Sequence, residues 1–195
     1  MSFFDSLPPP EPDEPEPPAP PRPAWDKPED MFGGVVPDTF LLARGAGAAL
    51  GLSGIVAYPN GFSFTVTVVM SREDRHGGVF HHAFHRDTFA GEPLSADFLR
   101  LGVQFADGSA ATNLGGHPRS RTDEPTGPLL MHDGGGGGGR RYDMTYWIWP
   151  LPPPGPVAFI CEWPAHGIPD SRAELDAQQI LDAATRTIPL LPESD

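Results

Sequence analysis

The side chains with the greatest capacity for chemistry fall in one short stretch, HGGVFHHAFH, which places His76, His81, His82 and His85 within ten residues. Neutral imidazole is a common ligand for zinc and related metals, so such a cluster has the composition of a metal site. If the segment were helical, His81 and His85 would share a face at i, i+4, and His82 and His85 at i, i+3. Glu73, Asp74 and Asp87 lie nearby. The frame H-E-x-x-H is missing, which argues against a metalloprotease. The chemical expectation is a metal-assisted hydrolase using His81, His82 and His85, set against a bland one, a solvated connecting loop.

Four other groups invite a chemical reading. Six consecutive glycines, Gly134 to Gly139, offer a nest of backbone N–H groups for an anion, with Arg140 and Arg141 adding charge. A phosphate loop ends in G-K-[ST] and opens a helix, whereas this run leads into Arg-Arg-Tyr and a strand, so a flexible hairpin tip is the simpler expectation. Asp143 and Glu162 are expected on adjacent strands of a closing hairpin, the arrangement of a glycosidase pair or of two solvated charges. Cys161 alternates in step with Val157, Phe159 and Trp163 and reads as a buried apolar thiol. Trp147 and Trp149 share a strand face with Asp143 and Thr145. That face should point outward, as an aromatic platform for a sugar or a protein side chain, unless a helix packs over it.

These groups need a scaffold, and the pattern supplies strands. Phe62–Met70 alternates cleanly, with Phe62, Phe64, Val66, Val68 and Met70 on one face and Ser63, Thr65 and Thr67 on the other. Ala48–Tyr58 precedes it across a Pro59-Asn60-Gly61 turn, with Leu50, Leu52, Val56 and Tyr58 expected on one face. Short strands are predicted at 40–43, 99–105, 110–114 and 129–133. Segments 141–149 and 157–163 form the closing hairpin around the proline turn PLPPPGP. Near the end, Ser171 and Glu174 have capping-box spacing, and Ala173, Ala177, Ile180, Leu181, Ala184 and Ile188 make an amphipathic stripe that Pro189 stops, which predicts a helix over about 171–187. Eight short strands with polar turns and one C-terminal α-helix predict an all-β fold, an antiparallel β-sandwich of immunoglobulin-like type.

Composition sets the boundaries. The chain has 195 residues, 26 of them proline, and residues 8–23 hold ten of these. That run is acidic as well as proline-rich, so residues 1–35 read as a disordered, solvated tail and 36–195 as the folded domain. Phe3, Phe4, Leu7, Trp25, Met31 and Phe32 are the apolar exceptions, able to dock on the domain or on a partner. The net charge of −13 sits mostly on the two ends and argues against nucleic acid or an anionic membrane as partner. A single cysteine, no Sec-type leader and no run of about 18 apolar residues point to the cytoplasm. No cofactor is expected, and the one partner expected is a protein bound through the proline-rich tail.

The segment GGGGGGRRYDMTYWIWPLPPPGPVAFICEWPAHGIPDSRAELDA resembles the C-terminal signature of a family of small uncharacterised proteins of high-GC Gram-positive bacteria. IVAYPNGFSFTV and LRLGVQFADGSAATNLG are similar to other shared stretches of that family. The resemblance covers roughly residues 36–188 and implies the domain limits. It carries no activity with it, and the functional expectation from the residues is a non-catalytic interaction module.

Overall fold

A computed structural model describes residues 22–74, 78–84, 93–115 and 125–191 of the chain. The strands are β1 (Met31–Phe32), β2 (Gly34–Val36), β3 (Phe40–Arg44), β4 (Ala48–Tyr58), β5 (Gly61–Asp74), β6 (Arg100–Gln104), β7 (Ala110–Thr112), β8 (Leu129–Trp149), β9 (Pro156–Trp163), β10 (Ile168–Asp176) and β11 (Ile188–Pro189). Among the described residues, helices α1 (Gly78–Phe84) and α2 (Ala177–Ala184) join them, with a 3-10 turn at Pro164–His166. The order β2-β4-β5-β8, with β3 also on β4, makes a five-stranded sheet, and β10-β9-β6-β7 makes a four-stranded one. Their pairings are all antiparallel.

The two sheets face each other across one apolar core. Phe159 of β9 is its hub, with ring centroids 5.1 Å from Phe64, 6.4 Å from Phe62 and 5.8 Å from Phe40. This is the antiparallel, sandwich-like arrangement that the alternation in Phe62–Met70 requires. Consecutive β4 and β5 pair within one sheet, while consecutive β8 and β9 divide between the two.

The expected closing hairpin is not formed. β8 pairs with β5, and β9 lies between β6 and β10 in the other sheet. Each segment has an apolar face that needs a sheet, and the proline-rich connection 150–155 carries the chain from one sheet to the other instead of turning it back. The hairpin lies within β8. His132 stacks edge-on to Tyr146 at 5.6 Å, and a Cβ on Gly135 would come within 2.7 Å of the Asp143 carbonyl. One on Gly137 would come within 2.6 Å of the Tyr142 Cα. The first arm therefore doubles back on the second, and the glycine run forms the tip.

The C-terminal helix is shorter than the stripe predicts. Ser171 to Asp176 pair residue by residue with Cys161 to Pro156, and the Ser171 hydroxyl bonds the Pro169 carbonyl instead of capping a helix. Asp176 is the real N-cap, its carboxylate accepting from the Gln178 N–H at 2.9 Å. Ala177, Ile180 and Ala183 face the core, while Ile188 is exposed and pairs with Phe32 of β1. β1 and the first two residues of β2 lie within residues 1–35, so the chain is built into the fold upstream of the boundary that composition suggests.

Candidate functional site

The outer face of the β4-β5-β8 sheet assembles the most polar side chains. Thr65 pairs with Thr145 and Thr67 with Asp143, and Thr67 donates its hydroxyl to the Asp143 carboxylate. Arg141 grips the same carboxylate through Nε and one terminal nitrogen, both at 2.8 Å. The guanidinium holds Asp143 below the ordinary carboxylate range, with the Thr67 bond adding to the effect. Arg140 turns the other way and donates from Nε to the Met70 carbonyl at 2.9 Å. Both arginines are thus directed to the sheet, not jointly to the glycine tip.

Trp147 lies farther along this face, as the alternation places it, but it is only 2 % exposed. The C-terminal helix is not what covers it. The cover is the segment just before β1, residues 22–30, which crosses the sheet as a strap. Trp147 donates its indole N–H to the Trp25 carbonyl at 2.9 Å. Asn60 donates from one amide nitrogen to the carbonyls of Ala24 at 2.8 Å and Asp26 at 2.7 Å. Lys27 closes the strap with an ion pair to Asp133 at 2.6 Å and sits 5.7 Å from the centre of the Tyr58 ring. Trp149, two residues on, is half-buried. The two tryptophans therefore present no open aromatic platform.

A bulge makes this groove possible. The β4–β5 register shifts between Ser53 and Val56, where Gly54 has φ of 60°, a conformation that strongly favours glycine. The shift reverses the alternation in β4: Ile55 and Ala57 turn into the core, while Tyr58 turns outward. Its ring then meets Trp147 edge-on at 5.6 Å. Gly61 completes the fit, because a Cβ there would come within 2.6 Å of the Trp147 ring. The sequence reading, which puts Val56 and Tyr58 on the inner face, misses this because GLSGIVAY carries no break in its pattern. Gly54 is the only local sign.

The histidine stretch lies elsewhere. His76 and His85 are outside the described residues. His81 and His82 lie on α1, both exposed, with rings 5.6 Å apart. This helix is not the loop expected from its polarity. Phe80 and Ala83 are buried, and Phe80 and Phe84 each lie 5.0 Å from the Tyr142 ring, so α1 plugs one end of the sandwich. Among the described residues no group of three or more His, Cys, Asp or Glu gathers as metal ligands. Asp143 and Glu162 belong to different sheets, and Glu162 is paired with Arg100. Among the described residues, one open groove of about 480 Å³ lies beside Arg72, Glu73 and His166, and another of about 430 Å³ runs along β6 and β7. Burial pulls the His166 imidazole below its ordinary pKa, with Asp97 opposing. No helix among the described residues is long and apolar enough to cross a membrane. Comparison with known proteins finds no matching family model, no matching curated protein and no matching solved structure.

Proposed function

We propose that this protein is a cytoplasmic, non-catalytic interaction module that offers its proline-rich N-terminal run to a protein partner. The strap is the observation that supports this reading. Three hydrogen bonds, two from the Asn60 amide and one from the Trp147 indole, fix the backbone of residues 24–26 on the outer sheet face, so the ten prolines of 8–23 lead directly into an anchored site. Proline-rich chain suits recognition because its extended form is preset, which lowers the entropy cost of docking on an aromatic groove.

The test compares partners recovered on immobilised full-length protein with those recovered on a variant whose prolines at 8, 9, 10, 12, 15, 17 and 18 are replaced by serine. A protein retained by the first and lost by the second, and then bound by the purified wild-type chain alone, is the expected result. Identical recoveries on the two would count against the reading.

A further inference from the structure

We infer that the groove on the outer face of the β6–β9 pair is a binding site for a small α-amino acid with an apolar side chain. At about 430 Å³ it has the size of a small-ligand site, and its lining is apolar with charged groups at one end. The register sets that layout. Arg100 lies opposite Glu162 of β9, and the next outward row places Gly102 between Ile160 of β9 and Thr112 of β7. β10 carries one extra residue between Ile168 and Ser171, and this bulge brings Asp170 to the charged end. The face belongs to the sheet opposite the strap, so the site stands or falls independently of the proline run.

Three features of this face are unexplained by the fold. Gly102 sits in a strand paired on both sides, where glycine weakens a sheet and often marks the close approach of a ligand. Neither backbone nor space requires it: its φ is not positive, and a Cβ there would make ordinary contacts of 3.5 Å with the Thr112 side chain and 3.6 Å with the Ala111 carbonyl. Arg100 Nε is buried with no acceptor among the described residues, since Glu162 engages the guanidinium through Nη1. An unmet donor costs free energy that a carboxylate would recover. Asp170 is exposed, and its carboxylate forms no ion pair among the described residues. Arg100 and Asp170 stand on the strands either side of β9, about 10 Å apart by strand spacing, with Glu162 between them. A small turn of the guanidinium gives its free edge to an amino-acid carboxylate, while Asp170 and Glu162 receive the ammonium. The apolar side chain then lies over the dip at Gly102, against Ile160 and Leu114.

The experiment titrates L-leucine, L-isoleucine, L-methionine and L-phenylalanine into full-length protein by calorimetry, with the ¹⁵N amide signal of Gly102 reporting the place of binding. Each titration runs to about 10 mM, so that a millimolar site still saturates. Saturable binding of at least one, with a shift of the Gly102 signal, is expected. For that amino acid, Arg100→Gln should weaken binding about tenfold and Asp170→Asn several-fold. Gly102→Ala should weaken it several-fold while the melting temperature holds or rises, a split that a purely structural glycine would not give. The matching amine and the matching carboxylic acid, each lacking the other charge, should bind about tenfold more weakly. The inference is overturned by an absence of binding to all four amino acids. It is equally overturned by binding indifferent to the three substitutions, or by equal affinity for the amine or the acid alone.

Discussion

Cys161 is 1 % exposed, and burial, with Asp170 adding to it, pushes its thiol up to about 12. A group kept neutral in the fold but free to ionise when unfolded takes stability away as pH rises. The contribution is intact below the ordinary thiol value near 9 and is lost progressively towards 12, at up to about 1.4 kcal/mol per pH unit. Denaturant titrations from pH 8 to 10 should show wild type losing stability relative to Cys161→Ala, and parallel curves would refute this. Tyr146, also raised by burial, adds the same sign only above its own ordinary range. The glycine tip gives a second contrast between single residues. A Cβ on Gly137 meets the backbone of Tyr142 at 2.6 Å, while one on Gly136 meets nothing within 4 Å. Gly137→Ala should cost about 1–3 kcal/mol through overpacking. Gly136→Ala should be neutral or gain up to about 1 kcal/mol by restricting the unfolded chain. Urea midpoints of the two variants check this, and equal midpoints would mean that the run is an unconstrained linker.

Among the elements, the Phe62–Met70 part of β5 was legible because strict alternation over nine residues has one physical solution, a strand with one apolar face; its run on to Asp74 fell in residues read as a connection, and Ser63, read as outward, is buried. The other errors share a cause: local signals were outvoted by pairing partners distant in sequence. Ser171 and Glu174 have the spacing of a capping box, but the edge of β9 offers their segment a full ladder of hydrogen bonds, and a strand forms. The helix is capped five residues later, by Asp176. Asp176→Ala should therefore cost about 1 kcal/mol by thermal or chemical melting, whereas Ser171→Ala should change stability by less than about 0.5 kcal/mol. A reversed order would restore the longer helix. Strands β8 and β9 read as a hairpin because they adjoin across a turn-like sequence, and nothing local told that the turn changes sheets. The groove was half legible. Alternation put Trp147 on the outer face, but its cover came from the segment assigned to the tail, and Tyr58 arrived only through the Gly54 bulge. Contacts such as Asn60 to Ala24 span 36 residues and leave no periodic trace.

At the scale of the whole molecule, the strap of residues 22–30 ties the segment before β1 to the outer face of the sheet. Removing its clasp should not unfold the sandwich, since Trp147 lies outside the main apolar core. Lys27→Glu is expected to lower the melting temperature by a few degrees at most, while Trp147 fluorescence shifts to the red as water reaches the ring. A collapse of the transition would show that the strap is part of the core after all.

The pairing of β1 with β11 fixes how the molecule would bear tension. Met31 lies opposite Pro189 and Phe32 opposite Ile188, and the Leu190 N–H reaches the Asp30 carbonyl at 2.7 Å, so both chain ends leave this ribbon side by side. A pull between the two ends loads these bonds one after another, as a zip is opened, instead of shearing them together. The N-terminal pull reaches the strap first and peels it from Arg22 towards Lys27. In an optical trap the molecule should yield a small extension at low force before the sandwich ruptures. A partner tugging on the proline run would thus uncover Trp147 long before it threatened the fold.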